Sequence, residues 1–212
     1  MAIVLSDIEL RILGSLVEKE ITVPEYYPLS LNALTAACSQ KSNRHPIVSY
    51  DETTISEAID GLVEKTLVIV IRSRDSRVTK YDNYFADFFH LSPAEAAAMC
   101  VLMLRGPQTV GEIKIRSERL HEFKSLEETQ EALDRLAARE DGPLVVKLPR
   151  QAGHKEPRYA HVLGGEVDAA NLSTESSAAD DRILLLEDQV TSLQQELGEL
   201  RDQFLDFKKQ FD

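Results

Sequence analysis

The fold is decided by LSDIELRILGSLV at residues 5–17, whose pattern returns as LSPAEAAAMCVLML at residues 91–104. In each stretch an initial leucine is followed by serine, two further residues and then glutamate. In this capping box the two side chains satisfy backbone N–H groups at the start of a helix. Apolar residues then recur at helical spacing, so both stretches predict a helix with one apolar face. Pro93 fits the first helical position, where no N–H donor is needed.

Two more helices follow in each half of the chain. The third helices share a motif, EAIDGL at residues 57–62 and EALDRL at residues 131–136. Hydroxyl side chains favour helix starts because they accept hydrogen bonds from free backbone N–H groups. We predict such caps at Ser30, Thr54, Thr109 and Ser125.

Each third helix leads into a hairpin pattern of β-branched and aromatic residues. The predicted strands span residues 67–72 and 78–81 in the first half, and 144–148 and 158–162 in the second. Three helices followed by two strands, repeated once, are typical of a winged helix-turn-helix. The predicted class is therefore mostly α with small β-hairpins (α+β), in two tandem winged-helix domains at residues 1–90 and 91–167.

Five motifs resemble the YceH-like family over residues 3 to about 167. They are LGSLVEK at 13–19, YPLSLNAL at 27–34, QKSNR at 40–44, HEF at 121–123 and REDGP at 139–143. The resemblance implies two tandem winged-helix domains. It implies no biochemical activity and no catalytic residues, since the family is largely uncharacterised.

The tail differs from the body. A polar linker is predicted at residues 168–180 and a coiled-coil helix at 181–212. Apolar residues alternate there at spacings of three and four over four heptads: Ile183, Leu186, Val190, Leu193, Leu197, Leu200, Phe204, Phe207 and Phe211. This a/d pattern favours a parallel homodimer. The alternative is that the helix folds back on its own body, with Leu184 and Leu185 broadening the apolar face.

The distribution of charge supports two opposite interpretations. The net charge is −12, and residues 166–212 contribute −8 of it. Both predicted third helices are acidic on their solvent side, which opposes insertion into the major groove. The two hairpins and the loop before the first of the third helices are basic, and their cations are candidate contacts to a DNA backbone: Lys41, Arg44, Arg72, Arg74, Arg77, Lys80, Arg150, Lys155 and Arg158. Such charges also serve simply to keep exposed strand edges from pairing.

No pattern in the sequence indicates an enzyme. The five histidines are scattered, and phosphate-binding and serine-nucleophile motifs are absent. We expect no catalytic residues, no metal, no cofactor and no membrane segment, in a cytoplasmic protein. Two hypotheses remain. The favoured one is a dimeric, non-enzymatic regulator that contacts duplex DNA through its basic wings. The alternative is an acidic adaptor that binds a protein partner.

Overall fold

A computed structural model of the chain describes residues 3–72, 78–150 and 156–165. These residues lie in one compact unit, Met1–Val167. The elements of the first half are α1 (Asp7–Thr22), a 3-10 turn (Pro24–Tyr26), β1 (Leu29–Ser30), α2 (Leu31–Cys38), α3 (Glu52–Glu64), β2 (Val68–Ile71) and β3 (Lys80–Asn83). After the short α4 (Phe85–Phe88), the second half has α5 (Pro93–Arg105), α6 (Val110–Arg116), α7 (Leu126–Ala137), β4 (Val145–Lys147) and β5 (Tyr159–His161).

The described residues therefore combine helices with small antiparallel sheets, which confirms the α+β prediction at that level. The first sheet has the strand order β1-β3-β2, and the second pairs β4 with β5. Register aligns Val70 with Tyr81 in the first hairpin and Val146 with Ala160 in the second. All four hairpin strands fall within the ranges predicted from sequence, give or take two residues. The two-residue β1 and the short α4 carry too little pattern to be predicted.

Local sequence sets the helix starts. Capping boxes are present at Ser6, Ser92 and Thr109, and the Ser30 and Ser125 side chains also cap their helices. The predicted cap at Thr54 is wrong. Asp51 caps α3 instead, and its Oδ1 accepts a 2.7 Å hydrogen bond from the Thr54 N–H. An aspartate three residues before Thr54 supplies an equally good acceptor, so the helix starts earlier.

The first helices of the two halves pack against each other. Gly14 on α1 faces α5, and the Cys100 Sγ lies 3.4 Å from the Gly14 carbonyl oxygen. A Cβ at Gly14 would lie 2.9 Å from Cγ and Cδ2 of Leu104, closer than side chains pack. One cluster of buried residues, including Leu13 and Leu102, extends through both halves. The predicted division at residue 90 thus separates two segments that share a core.

Candidate interface on the third helices and hairpins

Helix α3 presents an acidic side to solvent. Its core side consists of Ile55, Ile59 and Leu62, which are fully buried against the rest of the first half. The opposite side is exposed and carries four carboxylates: Glu52, Glu57, Asp60 and Glu64. The helical period separates the two sets, so burying the apolar stripe forces the carboxylates outward.

Helix α7 repeats this arrangement. Ala132, Leu133 and Leu136 are buried, while Glu127, Glu131 and Asp134 are exposed. Arg135 is the cation on its outer side, and its Nε donates a 3.0 Å hydrogen bond to Oε1 of Glu95 on α5. The charge of Arg135 is thereby directed toward α5. We call the two exposed sets of carboxylates the α3 acidic face and the α7 acidic face.

The capping-box glutamates hold the third helices in place. Glu9 accepts a 2.8 Å hydrogen bond from the Ser6 N–H and also pairs with Lys65 at the end of α3. Glu95 likewise accepts a 2.8 Å bond from the Ser92 N–H and pairs with Arg135. Burial alone would raise the pKa of each carboxyl, but these bonds and cations outweigh it, so the pKa of both lies below its usual value. Each glutamate therefore stays ionised and ties its first helix to its third.

Arg44 does not belong to the interface, and its prediction as a nucleic-acid contact is wrong. The residue is 5% exposed. Its two terminal nitrogens lie 3.1 and 2.7 Å from the two carboxylate oxygens of Glu18 on α1. The Ala37 carbonyl oxygen accepts from its Nε at 3.2 Å. Burial alone would raise the pKa of Glu18, but the bonds and charge of Arg44 hold that pKa below its usual value. The guanidinium is turned inward because a buried carboxylate needs a partner.

The structure places the remaining predicted cations at separate positions. Lys41 is exposed in the loop between α2 and α3, Arg72 is exposed after β2, and Arg150 is exposed after β4. Lys80 on β3 and Arg158 before β5 are half-buried, and the Nε of Arg158 is enclosed by protein. Three predicted cations lie outside the described residues: Arg74, Arg77 and Lys155. The nine predicted coiled-coil positions, from Ile183 to Phe211, lie outside them as well.

Sequence reasoning missed Arg11, a second arginine that shapes the first half. It is 4% exposed and bonds to backbone carbonyls, from Nη1 to Cys38 at 3.2 Å and from Nη2 to Pro46 at 2.7 Å. These bonds attach the loop between α2 and α3 to α1. The available signal was a single charge inside the apolar stretch LRILG at residues 10–14.

Other classes of site are not found within the part of the chain that the structure describes. No three metal-binding side chains lie together there. No helix there is long and apolar enough to cross a membrane.

Comparison with known proteins agrees on one family. The family model described as "Protein of unknown function, DUF480" matches residues 5–154. A "UPF0502 protein" from Pelobacter propionicus is 49% identical over 221 residues, covering 100% of both chains. Another from Opitutus terrae is 50% identical and covers 90% of this chain and 83% of its own length. A third from Vibrio atlanticus is 45% identical and covers 95% and 97%.

Proposed function

The chain belongs to the DUF480 family, and we propose that it is a non-enzymatic adaptor whose two winged helix-turn-helix units bind a protein partner. The observation that carries this proposal is the pair of acidic faces on α3 and α7. In a winged helix-turn-helix, the third helix is the element that usually contacts a macromolecule. Here that element offers carboxylates in both halves, so a partner with a basic surface fits it.

The topology supports the winged-helix assignment. In each half, three helices precede an antiparallel hairpin, and the third helix runs directly into the first hairpin strand. The first half also pairs β1 with β3, which gives a three-stranded sheet beside its helices. The two halves are thus equivalent in order although they differ in detail.

Electrostatics disfavours the usual DNA-binding mode of this fold. Affinity for a duplex comes largely from the neutralisation of phosphates by lysine and arginine. Glu57 and Asp60 lie on the exposed side of α3, where the major groove would be, and phosphates would repel them. Arg44 is buried in an ion pair with Glu18 and so does not face a phosphate. The acidic faces therefore favour a protein partner over a nucleic acid.

Reversing charge on the α3 acidic face tests the adaptor function. Full-length protein serves as bait in three forms: wild type, E57K/D60K, and the control E118K/E122K, which reverses two exposed carboxylates outside both third helices. We expect proteins captured by the wild type and the control to be lost from E57K/D60K and to elute as salt is raised. Equal capture by all three forms would contradict the proposal.

A second candidate is contact with a DNA backbone, which the exposed cations Lys41, Arg72 and Arg150 favour. Its test is duplex affinity as a function of salt for the wild type and for a variant with Arg72, Arg74 and Arg77 changed to alanine. Neutralisation of about three phosphates gives a slope of log K against log salt near −3, which the variant should flatten. Absence of binding at low salt would remove this candidate.

The proposal includes a homodimer formed by the tail. The heptad pattern places Arg182 at g and Glu187 at e, so that the two attract each other between parallel chains. A lone helix of this pattern would leave its leucine and phenylalanine stripe in water. Truncation after Ala179 should therefore convert a dimer into a monomer in light scattering. A truncated protein that still has the mass of two chains would reject the coiled-coil dimer.

A further inference from the structure

Among the residues that the structure describes, the strand β2 is a sheet edge without the usual protection. It is one of the two outer strands of the first sheet and consists only of apolar residues, Val68–Ile71. Ile69 on this strand is 44% exposed. Proteins normally block such edges with charges, prolines or very short strands, because an open edge pairs with other strands.

The other sheet edges of the described residues are protected. On the outer side of β5, the Tyr159 N–H donates to the Gln108 carbonyl oxygen at 2.7 Å and the Gln108 N–H donates to the Tyr159 carbonyl oxygen at 3.0 Å. β1 has two residues and leads directly into α2, which its own Ser30 caps. β4 ends in the exposed Lys147, and Pro149 follows shortly after. β2 is thus exceptional within the described sheets.

The hydrogen-bond pattern shows which backbone groups of β2 face outward. The Tyr84 N–H donates to the Leu67 carbonyl oxygen at 2.9 Å. In an antiparallel ladder, every second residue bonds to its neighbour strand. Ile69 and Ile71 therefore direct their backbone groups toward β3, while Val68, Val70 and Arg72 direct theirs toward the open edge.

We propose that β2 pairs antiparallel with β2 of a second copy of this chain, across a twofold axis at Val70. This pairing joins two three-stranded sheets into one sheet of six strands. It places the exposed Ile69 opposite the half-buried Ile71 of the partner subunit and so covers both apolar side chains. The inference rests on the proposed tail dimer, because four residues per strand form a small contact that needs a second link to hold the copies together.

Charge complementarity favours a second copy as the occupant. The twofold pairing sets the partner's Arg72 opposite Val68, close to the point where α3 ends and β2 begins. The exposed carboxylates in the last two turns of α3 are Asp60 and Glu64, while Lys65 there is paired with Glu9, and the C-terminal end of a helix itself attracts a cation. Both arginines of the dimer thus meet acidic surroundings, whereas an acidic peptide strand would be repelled there.

Amide exchange in the full-length protein tests the pairing directly. We expect the Val70 N–H to be protected in the wild type and to exchange at least tenfold faster in I69K, in which a charge is added to the edge. The amides of Ile69 and Ile71 should stay protected in both, because they bond to β3. The control is I115K, in which an isoleucine that is 60% exposed on α6 receives the same charge.

Cross-linking identifies the occupant. In V70C the two new thiols lie across the axis at a separation suited to a disulfide, and the native Cys38 and Cys100 are buried. Oxidation should give a covalent dimer of V70C but not of I115C. A Val70 amide as fast as in I69K would overturn the proposal, and so would a protected amide without V70C cross-linking, which would mean that something else covers the edge.

Light scattering distinguishes a failure of the β2 pairing from a failure of the tail dimer. If I69K remains a dimer while Val70 protection is lost, the tail holds the copies together and β2 pairing is a second contact. If the wild type is a monomer, both the proposed tail dimer and the β2 pairing are overturned. A dimeric wild type with an unprotected Val70 would overturn the β2 pairing alone.

Discussion

In each half of the molecule, the loop before the third helix is held in place, but by different interactions. In the first half, the loop between α2 and α3 is anchored by Arg44, which forms a buried ion pair with Glu18 on the first helix. In the second half, the loop between α6 and α7 is anchored by Phe123, an aromatic side chain that is buried in the core. The ring of His121 packs on it edge to face, with centroids 4.7 Å apart.

This difference shows that the repeated order of elements does not fix the chemistry that holds them. A buried ion pair is costly to desolvate and depends on both partners. A buried ring needs only a cavity of the right shape. The first half should therefore respond to loss of a single charge, whereas the second should respond to loss of volume.

The largest effect is expected from Arg44→Met. This change leaves the Glu18 carboxylate buried without its main partner, which costs about 3–5 kcal/mol in the free energy of unfolding. Urea denaturation monitored by circular dichroism measures it. The double variant E18L/R44M should recover part of the loss, because no unpaired charge remains. A double variant as unstable as the sum of the single ones would show that the pair contributes no coupling.

Phe123→Ala should cost about 3 kcal/mol, at the lower end of the range for deleting a buried ring. The same denaturation experiment applies, and this loss should not change with salt concentration. A substantial salt dependence would mean that the second loop is held electrostatically, contrary to the comparison.

The second half should also lose stability in mild acid through His161. Burial lowers the pKa of this histidine to about 4 from an ordinary value of 6.5, and only Asp7 opposes the shift. The unfolded chain therefore binds more protons than the folded one between pH 6.5 and 4, so stability falls as pH falls through that window. We expect a loss of about 2 kcal/mol between pH 7.5 and 5.

The variant His161→Gln provides the matching measurement, since it cannot take up a proton. Its free energy of unfolding should change less over the same pH range than that of the wild type. Parallel curves for the two proteins would assign the acid sensitivity to other groups.

The smallest effect is expected where α3 ends. Thr66 adopts a φ of 61°, which is strained for a β-branched residue, whereas the residue with a positive φ between α7 and β4 in the second half is Gly142, at 116°. Thr66→Gly should therefore stabilise the protein by about 0.5–1 kcal/mol. Gly142→Ala should destabilise it by a similar amount. Thermal denaturation of both variants checks the contrast, and a destabilised T66G would argue against strain at that position.

The features that could be predicted from the sequence are those set by residues close together along the chain. The capping boxes at Ser6 and Ser92 were visible because serine and glutamate stand three residues apart, and the hairpins were visible because their strands are apolar and continuous. The acidic faces followed from helical periodicity. The pairing of Arg44 with Glu18 was not predictable, because the two residues are 26 positions apart and an arginine in a polar loop has no local sign of burial. Apart from Arg44, the candidate contacts to DNA remain predictions, and so do the tail positions.

The close crossing at Gly14 has a mechanical consequence. Two helices packed this closely at a glycine cannot slide or swing past each other without opening the core, so the directions in which the two halves present their carboxylates are fixed relative to each other. The two halves then form one rigid unit. A partner that contacts both acidic faces must fit the fixed angle between them, so its shape as well as its charge decides whether it binds.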